Sequence, residues 1–416
     1  MRIDPTSTAG AVVVVVVVDV VVVEAVVVGL VGASVAATSG AVDGVVVAVA
    51  SDGEAMSLVA GPTTPTDSEG ASASGSSPPS AASASSAAPM TVAAITARAR
   101  GAGRRLPSGS MSPSIRIGYQ LSGNAGENPT AAAQRAEQLG FDVITVSDHV
   151  GPGLSPMPTL AAMAAVTEAI RLGTMVLNND MRNPVQLAWE SATIDRLSGG
   201  RFELGLGAGH TPQEYGQTGI ERSDPAVRKA RLAESVEIIR RLLDGETVDV
   251  DGEHYRVEGA SIDAAVQDRL PILVGGNGER LLAHAGAHAD IVGLQGLHRT
   301  LADGHRHTVK WSADRVTEQV EQVRAGAGER ADAVEFSALV QVVAITDDRQ
   351  LALEDLCDRV DGLSPEDAAA IPYALVGSVE EIVEHLYACQ DRWGIDYFVV
   401  RELDAFAPVL EVLRSR

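Results

Sequence analysis

Two neighbouring residues, Asp148 and His149, follow the apolar run from Phe141 to Val146 in "FDVITVSDHV". A buried strand that ends in a carboxylate and an imidazole can deliver general acid–base chemistry, because histidine exchanges protons near neutral pH. The plain alternative is that Asp148 caps the following loop and His149 packs as a satisfied polar residue. Other polar groups follow other apolar runs in the same way. Asn178, Asn179, Asp180 and Arg182 come after "RLGTMVL", and His210, Gln213 and Glu214 come after "RFELGLGAG". Glycines in that second stretch let backbone approach a flat ligand closely. "LVGGNGER" runs straight from a strand into a helix, so Gly275 and Gly276, at positive φ, can aim consecutive N–H groups at a phosphate. A tight turn with no ligand is the competing reading. His298, Arg299, His305, Arg306, His307 and Lys310 form a cationic run, either a lid over an anionic ligand or a surface loop.

Which elements would hold these residues together? Short apolar strands alternate with amphipathic helices across 111–416. The strands are expected at 115–121, 142–147, 171–178, 201–207, 271–276, 289–294, 334–345 and 396–401. Helices start at Asn-Pro, Asp-Pro or Ser and stop at Gly, as capping chemistry favours. Eight strand–helix steps predict an α/β (β/α)8 TIM barrel, with a doubly wound sheet as the alternative. "GETVDVDGEHYRVEGA" interrupts the rhythm and predicts a small hairpin insertion between strands four and five. In such a barrel the polar strand ends meet at one mouth. A phosphosugar-type barrel would place its phosphate turn after strands seven and eight instead, and "VVRELDAF" lacks the glycines for it.

The composition bounds the rest. The chain has 416 residues, 45% hydrophobic and 3% aromatic, with a net charge of −23. Residues 1–110 are a low-complexity extension, Val-rich, then Ser/Ala/Pro-rich, then basic. This stretch reads as disordered or as a mis-assigned start, with 111–416 as the barrel domain. Asp19 and Glu24 interrupt the Val run, and each costs a membrane span roughly 2.5–3.5 kcal/mol. The extension holds eight acids and five Lys/Arg, so −20 belongs to 111–416. That surface repels nucleic acid and anionic membrane. Cys357 and Cys389, the two cysteines, have no ligand spacing, which suggests a reducing cytoplasm and no metal site.

The run "DRLSGGRFELGLGAGHTPQEY", with "NPVQLAWESATI" before it and "RLAESVEIIRRLLDGETVDVDGEHY" after it, resembles the luciferase-like monooxygenase superfamily. "VSDHV" and "ILVGGNGERLLAHAGAHADI" fit the same resemblance, which covers roughly residues 115–402. The Ser-Asp-His ending is more similar to the branch that uses the deazaflavin coenzyme F420 than to the FMN branch. The resemblance implies hydride chemistry on a flavin-type ring over the strand ends; a small-molecule substrate is the expected partner, with a homodimer left open. It places Asp148 beside the ring and His149 as proton donor or anion stabiliser. Met175-Val176, or the bond next to it, matches a non-proline cis peptide under the ring, with Asn178 following. Ala208 and Gly209 would flank the ring, with His210 and Gln213 beyond. Val274, Gly275, Gly276 and Asn277 match the phosphate turn. His210 stands where some coenzyme F420 dehydrogenases carry a catalytic Glu. An FMN-dependent monooxygenase and a non-catalytic ligand-binding barrel are the alternatives.

Overall fold

The computed structural model describes residues 114–121, 128–151, 153–300 and 307–416. The N-terminal extension and the centre of the cationic run lie outside these residues. Eight parallel strands form the centre: β1 Arg116–Leu121, β2 Val143–Val146, β3 Arg171–Thr174, β4 Phe202–Gly207, β5 Ile272–Gly275, β6 Ile291–Leu294, β7 Glu335–Leu339 and β8 Ile395–Val400. Each pairs with its sequence neighbours, and β1 pairs with β8 through Arg116↔Tyr397. Leu172↔Phe202 joins β3 to β4, so the ring is closed and the barrel expectation holds. Such closure leaves no sheet edge to bridge outward.

Local chemistry explains where helices begin. The Asn128 side chain accepts hydrogen bonds from the backbone N–H groups of Thr130 and Ala131, and Asn183 does the same for Val185 and Gln186. Gly140 and Gly199 then stop those helices in the left-handed region. Ser378 and Glu381 form a capping box. The expected insertion is present as an antiparallel hairpin, Val248–Asp251 with Arg256–Ala260.

Two apolar layers result. One lies between strands and helices. The other fills the barrel lumen with Val143, Met175, Leu273, Ile291, Leu339, Tyr397 and Val399. Beneath it, at the N-terminal ends of the strands, charges meet across the ring. Arg116 of β1 reaches Glu203 of β4 at 2.5 Å and Glu335 of β7 at 2.7 Å. Arg171 of β3 also binds Glu203. These strands are not all neighbours, so the side chains must converge inside the barrel. The Arg116 guanidinium lies 4.5 Å from the centre of the Tyr397 ring.

The expected seventh strand, 334–345, is two strands. After Leu339 the chain changes partner: Gln341 and Val342 both donate to the Tyr373 carbonyl, at 2.8 and 3.1 Å. Val342–Ile345 then pairs in parallel with Ala374–Gly377, outside the barrel. That strand and the helices Arg349–Arg359 and Pro365–Ala370 were not apparent from periodicity. The third strand, expected as 171–178, also breaks. Leu177–Asn178 resumes against Leu206–Gly207 after the Met175-Val176 bond, which is cis.

Candidate active site at the barrel mouth

His149 follows β2 and points its Nδ1 at Glu214, 2.7 Å from Oε1. Glu214 sits in the first turn of the helix Pro212–Thr218, buried, while 48% of the His149 side chain is exposed. A buried carboxylate thus holds an imidazole that faces the mouth. His210 comes edge-on to the same ring, with centroids 5.8 Å apart and planes at 86°.

Asp148 is engaged differently. Arg182 grips both of its oxygens, at 2.5 and 2.9 Å, and the Asn178 backbone N–H donates to Oδ2 at 2.7 Å. Both carboxylate oxygens are engaged by protein donors, so Asp148 ties the end of β2 to the turn after β3. Asn178 belongs to the same turn, its side chain accepting from the Asp180 N–H at 3.1 Å.

The Met175-Val176 segment is fixed from beneath. Gln120 donates to the Met175 carbonyl at 2.8 Å, and Arg401 holds Gln120 at 2.9 Å. Val176 is partly exposed and lies over two strand ends that lack side chains. A Cβ on Gly207 would come within 2.6 Å of Val176, and one on Gly275 within 3.2 Å. The two glycines are register partners. They make room for Val176.

The phosphate turn also needs correction. Neither Gly275 nor Gly276 is in the left-handed region; Gly278 is, at φ 100°. A Cβ on Gly276 would come within 2.5 Å of Leu281 Cδ2, so that side chain would have to move. Asn277 donates to the Leu297 carbonyl and accepts from Gln319 at 2.7 Å, so its side chain is spent on loop structure. Val274 is buried in β5. The turn does adjoin the N-terminus of the helix Glu279–His288. Beside it stands Lys229, whose Nζ donates to the Asn277 carbonyl at 2.6 Å. Burial and then neighbouring Arg228 lower the Lys229 pKa.

Arg228 donates to the Ala208 carbonyl at 3.2 Å, and Gly209 takes a φ of 72°. Any Cβ there would meet Asn178 Oδ1 at 2.3 Å. Gln213 is exposed at the start of its helix. The site therefore gathers the ends of β2 to β5, as expected. Glu214 as the histidine's partner, Arg182, Gln120 with Arg401, and Lys229 went unassigned in the sequence. Glu214 was visible as polar, but the ring closure that brings it to His149 was not. Of the cationic run, residues 301–306 fall outside the description. Leu297–Thr300 and His307–Val309 pair as an antiparallel ribbon.

Comparison with known proteins bears on the fold and the family. The family model for luciferase-like monooxygenase matches residues 110–375. The chain is 35% identical over 230 residues to a protein of Nocardia farcinica named F420-dependent glucose-6-phosphate dehydrogenase, covering 53% of this chain and 65% of that protein. A protein of the same name from Mycolicibacterium smegmatis is 34% identical over 254 residues, covering 58% of this chain and 72% of its own. Among solved structures, the coenzyme F420-dependent tetrahydromethanopterin reductase of Methanopyrus kandleri superposes with a TM-score of 0.55 at 21% identity, over 71% of this chain and 97% of that one, which speaks for the fold. The chain belongs to the luciferase-like monooxygenase family.

Proposed function

We propose that this protein transfers a hydride between coenzyme F420 and a small organic substrate at the barrel mouth, with His149 moving the accompanying proton. The observation that carries this reading is the His149–Glu214 pair at the end of β2, in a chain whose relatives are named for coenzyme F420.

The mouth suits a flat ring. Val176 offers a partly exposed apolar surface seated on Gly207 and Gly275, and the β2–β3 register Val146↔Thr174 sets the His149 segment beside it. The turn at Gly275–Gly278 joins a helix N-terminus to the Lys229 ammonium, a combination that favours a phosphate. Coenzyme F420 supplies two-electron hydride chemistry without ready oxygen activation. The protein's share is to orient ring and substrate, exclude water and handle a proton. Glu214 fixes the tautomer of His149 and offsets positive charge on the imidazole as it takes up a proton. Asp148, held by Arg182, keeps the end of β2 in place during that transfer.

Titrating the purified protein with coenzyme F420 and with FMN, followed by absorbance, tests the reading. Saturable binding of coenzyme F420, at least about tenfold tighter than FMN, is expected. Glucose 6-phosphate, the substrate in the relatives' names, is the first to offer in a turnover assay. Preference for FMN, or no binding of either, would overturn it.

A further inference from the structure

On the outside of the barrel, the helix Glu279–His288 carries His284 and His288 one turn apart. Their rings stack, with centroids 4.3 Å apart and planes at 22°. The helix Pro225–Leu243 contributes Glu237, whose Oε1 lies 3.8 Å from His288 Nε2. One donor atom from each of the three falls within 4.8 Å of the others.

The tautomer of His284 is set by its surroundings. Nε2 is buried with no hydrogen-bond partner, whereas the ring does bond to the backbone of Ala233. A contact with the Ala233 backbone through Nδ1 leaves the unpartnered Nε2 to carry the lone pair. An imidazole whose other N–H is held by a backbone carbonyl is arranged as metal-ligating histidines are, with orientation and tautomer fixed in advance. Histidines at i and i+4 share one helix face, so both can turn to a common point.

We propose that Glu237, His284 and His288 bind one divalent transition-metal ion of the zinc class, with water completing a tetrahedron. Two neutral imidazoles and a carboxylate are a donor set such ions accept. Ligands at about 2.0–2.2 Å from one ion stand about 3.2–3.5 Å apart. Glu237 is exposed and closes that gap by rotating its side chain. His288 ends its helix, remote from the barrel mouth, so the ion would tie the helix after β4 to the helix after β5 and take no part in hydride transfer. No ligand set was expected from the sequence, because cysteine spacing offered none and Glu237 lies on a different helix.

Cobalt(II) chloride titrated into the full-length, chelator-treated protein tests this. The expected result is the visible d–d absorption of tetrahedral cobalt, saturating at one ion per chain and displaced by zinc chloride. His288→Ala and Glu237→Gln should each lower the affinity at least about tenfold. Both positions are partly exposed, so each variant should keep the wild-type circular dichroism without metal. Zinc should raise the thermal midpoint of the wild type and leave that of His288→Ala unmoved. Absence of the cobalt band overturns the proposal. So does a band of equal affinity in either folded variant.

Discussion

His149 and Glu214 stand 65 positions apart in the chain and 2.7 Å apart in the structure. If His149 moves the proton, His149→Ala should lower kcat by about 10²–10⁴-fold and change coenzyme affinity little. Glu214→Gln keeps an acceptor and removes the charge, so kcat should fall at least about tenfold with KM nearly constant. Steady-state kinetics check both, and an unchanged kcat would reduce the pair to packing. The Val176 seat makes a second, sterically defined prediction. Gly207→Ala places a methyl 2.6 Å from Val176 Cγ2. The folded variant should lose stability by about 1–3 kcal/mol and bind coenzyme F420 more weakly. Adding Val176→Ala should recover part of both losses, as thermal unfolding and absorbance titration would report. Asp148 and His149 were legible in sequence because a strand's end is local and the barrel rule assigns it to the mouth. The reason for Gly207 was not, because its neighbour Val176 arrives from the preceding strand.

At the scale of elements, helix caps and the alternation of strand and helix were legible because they are short-range chemistry. The run 334–345 was misread because apolar residues continue unbroken while the backbone changes partners. Past that change the fold relies on the helix Val379–Trp393, where His385 Nε2 donates to the Ile371 carbonyl at 2.9 Å. Burial first, and Arg349 further, lower the His385 pKa from its ordinary 6.5. A histidine with a depressed folded-state pKa contributes stability that is present above the unfolded value and lost as pH falls through the folded one, because the unfolded chain binds the proton first. Urea midpoints should therefore drop as pH falls below the ordinary histidine value of 6.5. His385→Gln, still able to donate to Ile371, should flatten that limb. An equal slope in wild type and variant would assign the acid sensitivity to other groups.

Over the whole molecule, the closed ring was legible from eight repeated steps, and the described residues include no helix long and apolar enough to cross a membrane. Residues 1–110 share none of that periodicity. A chain beginning at Met111 should fold with the same thermal midpoint and bind coenzyme F420 with the same affinity. Failure of either would give the extension a part in the domain.

The lattice of Arg116, Glu203, Glu335 and Arg171 has a kinetic meaning as well as a structural one. It stoppers the barrel floor with paired charges, so nothing the size of a cofactor passes through from below. Traffic is confined to one doorway, and two guests that share a doorway must queue. If the flat cofactor lies deeper at that doorway than the substrate, the cofactor must enter first and leave last. Cofactor release, followed by a chase experiment, should slow as substrate approaches saturation, and initial rates should follow an ordered, not a random, scheme.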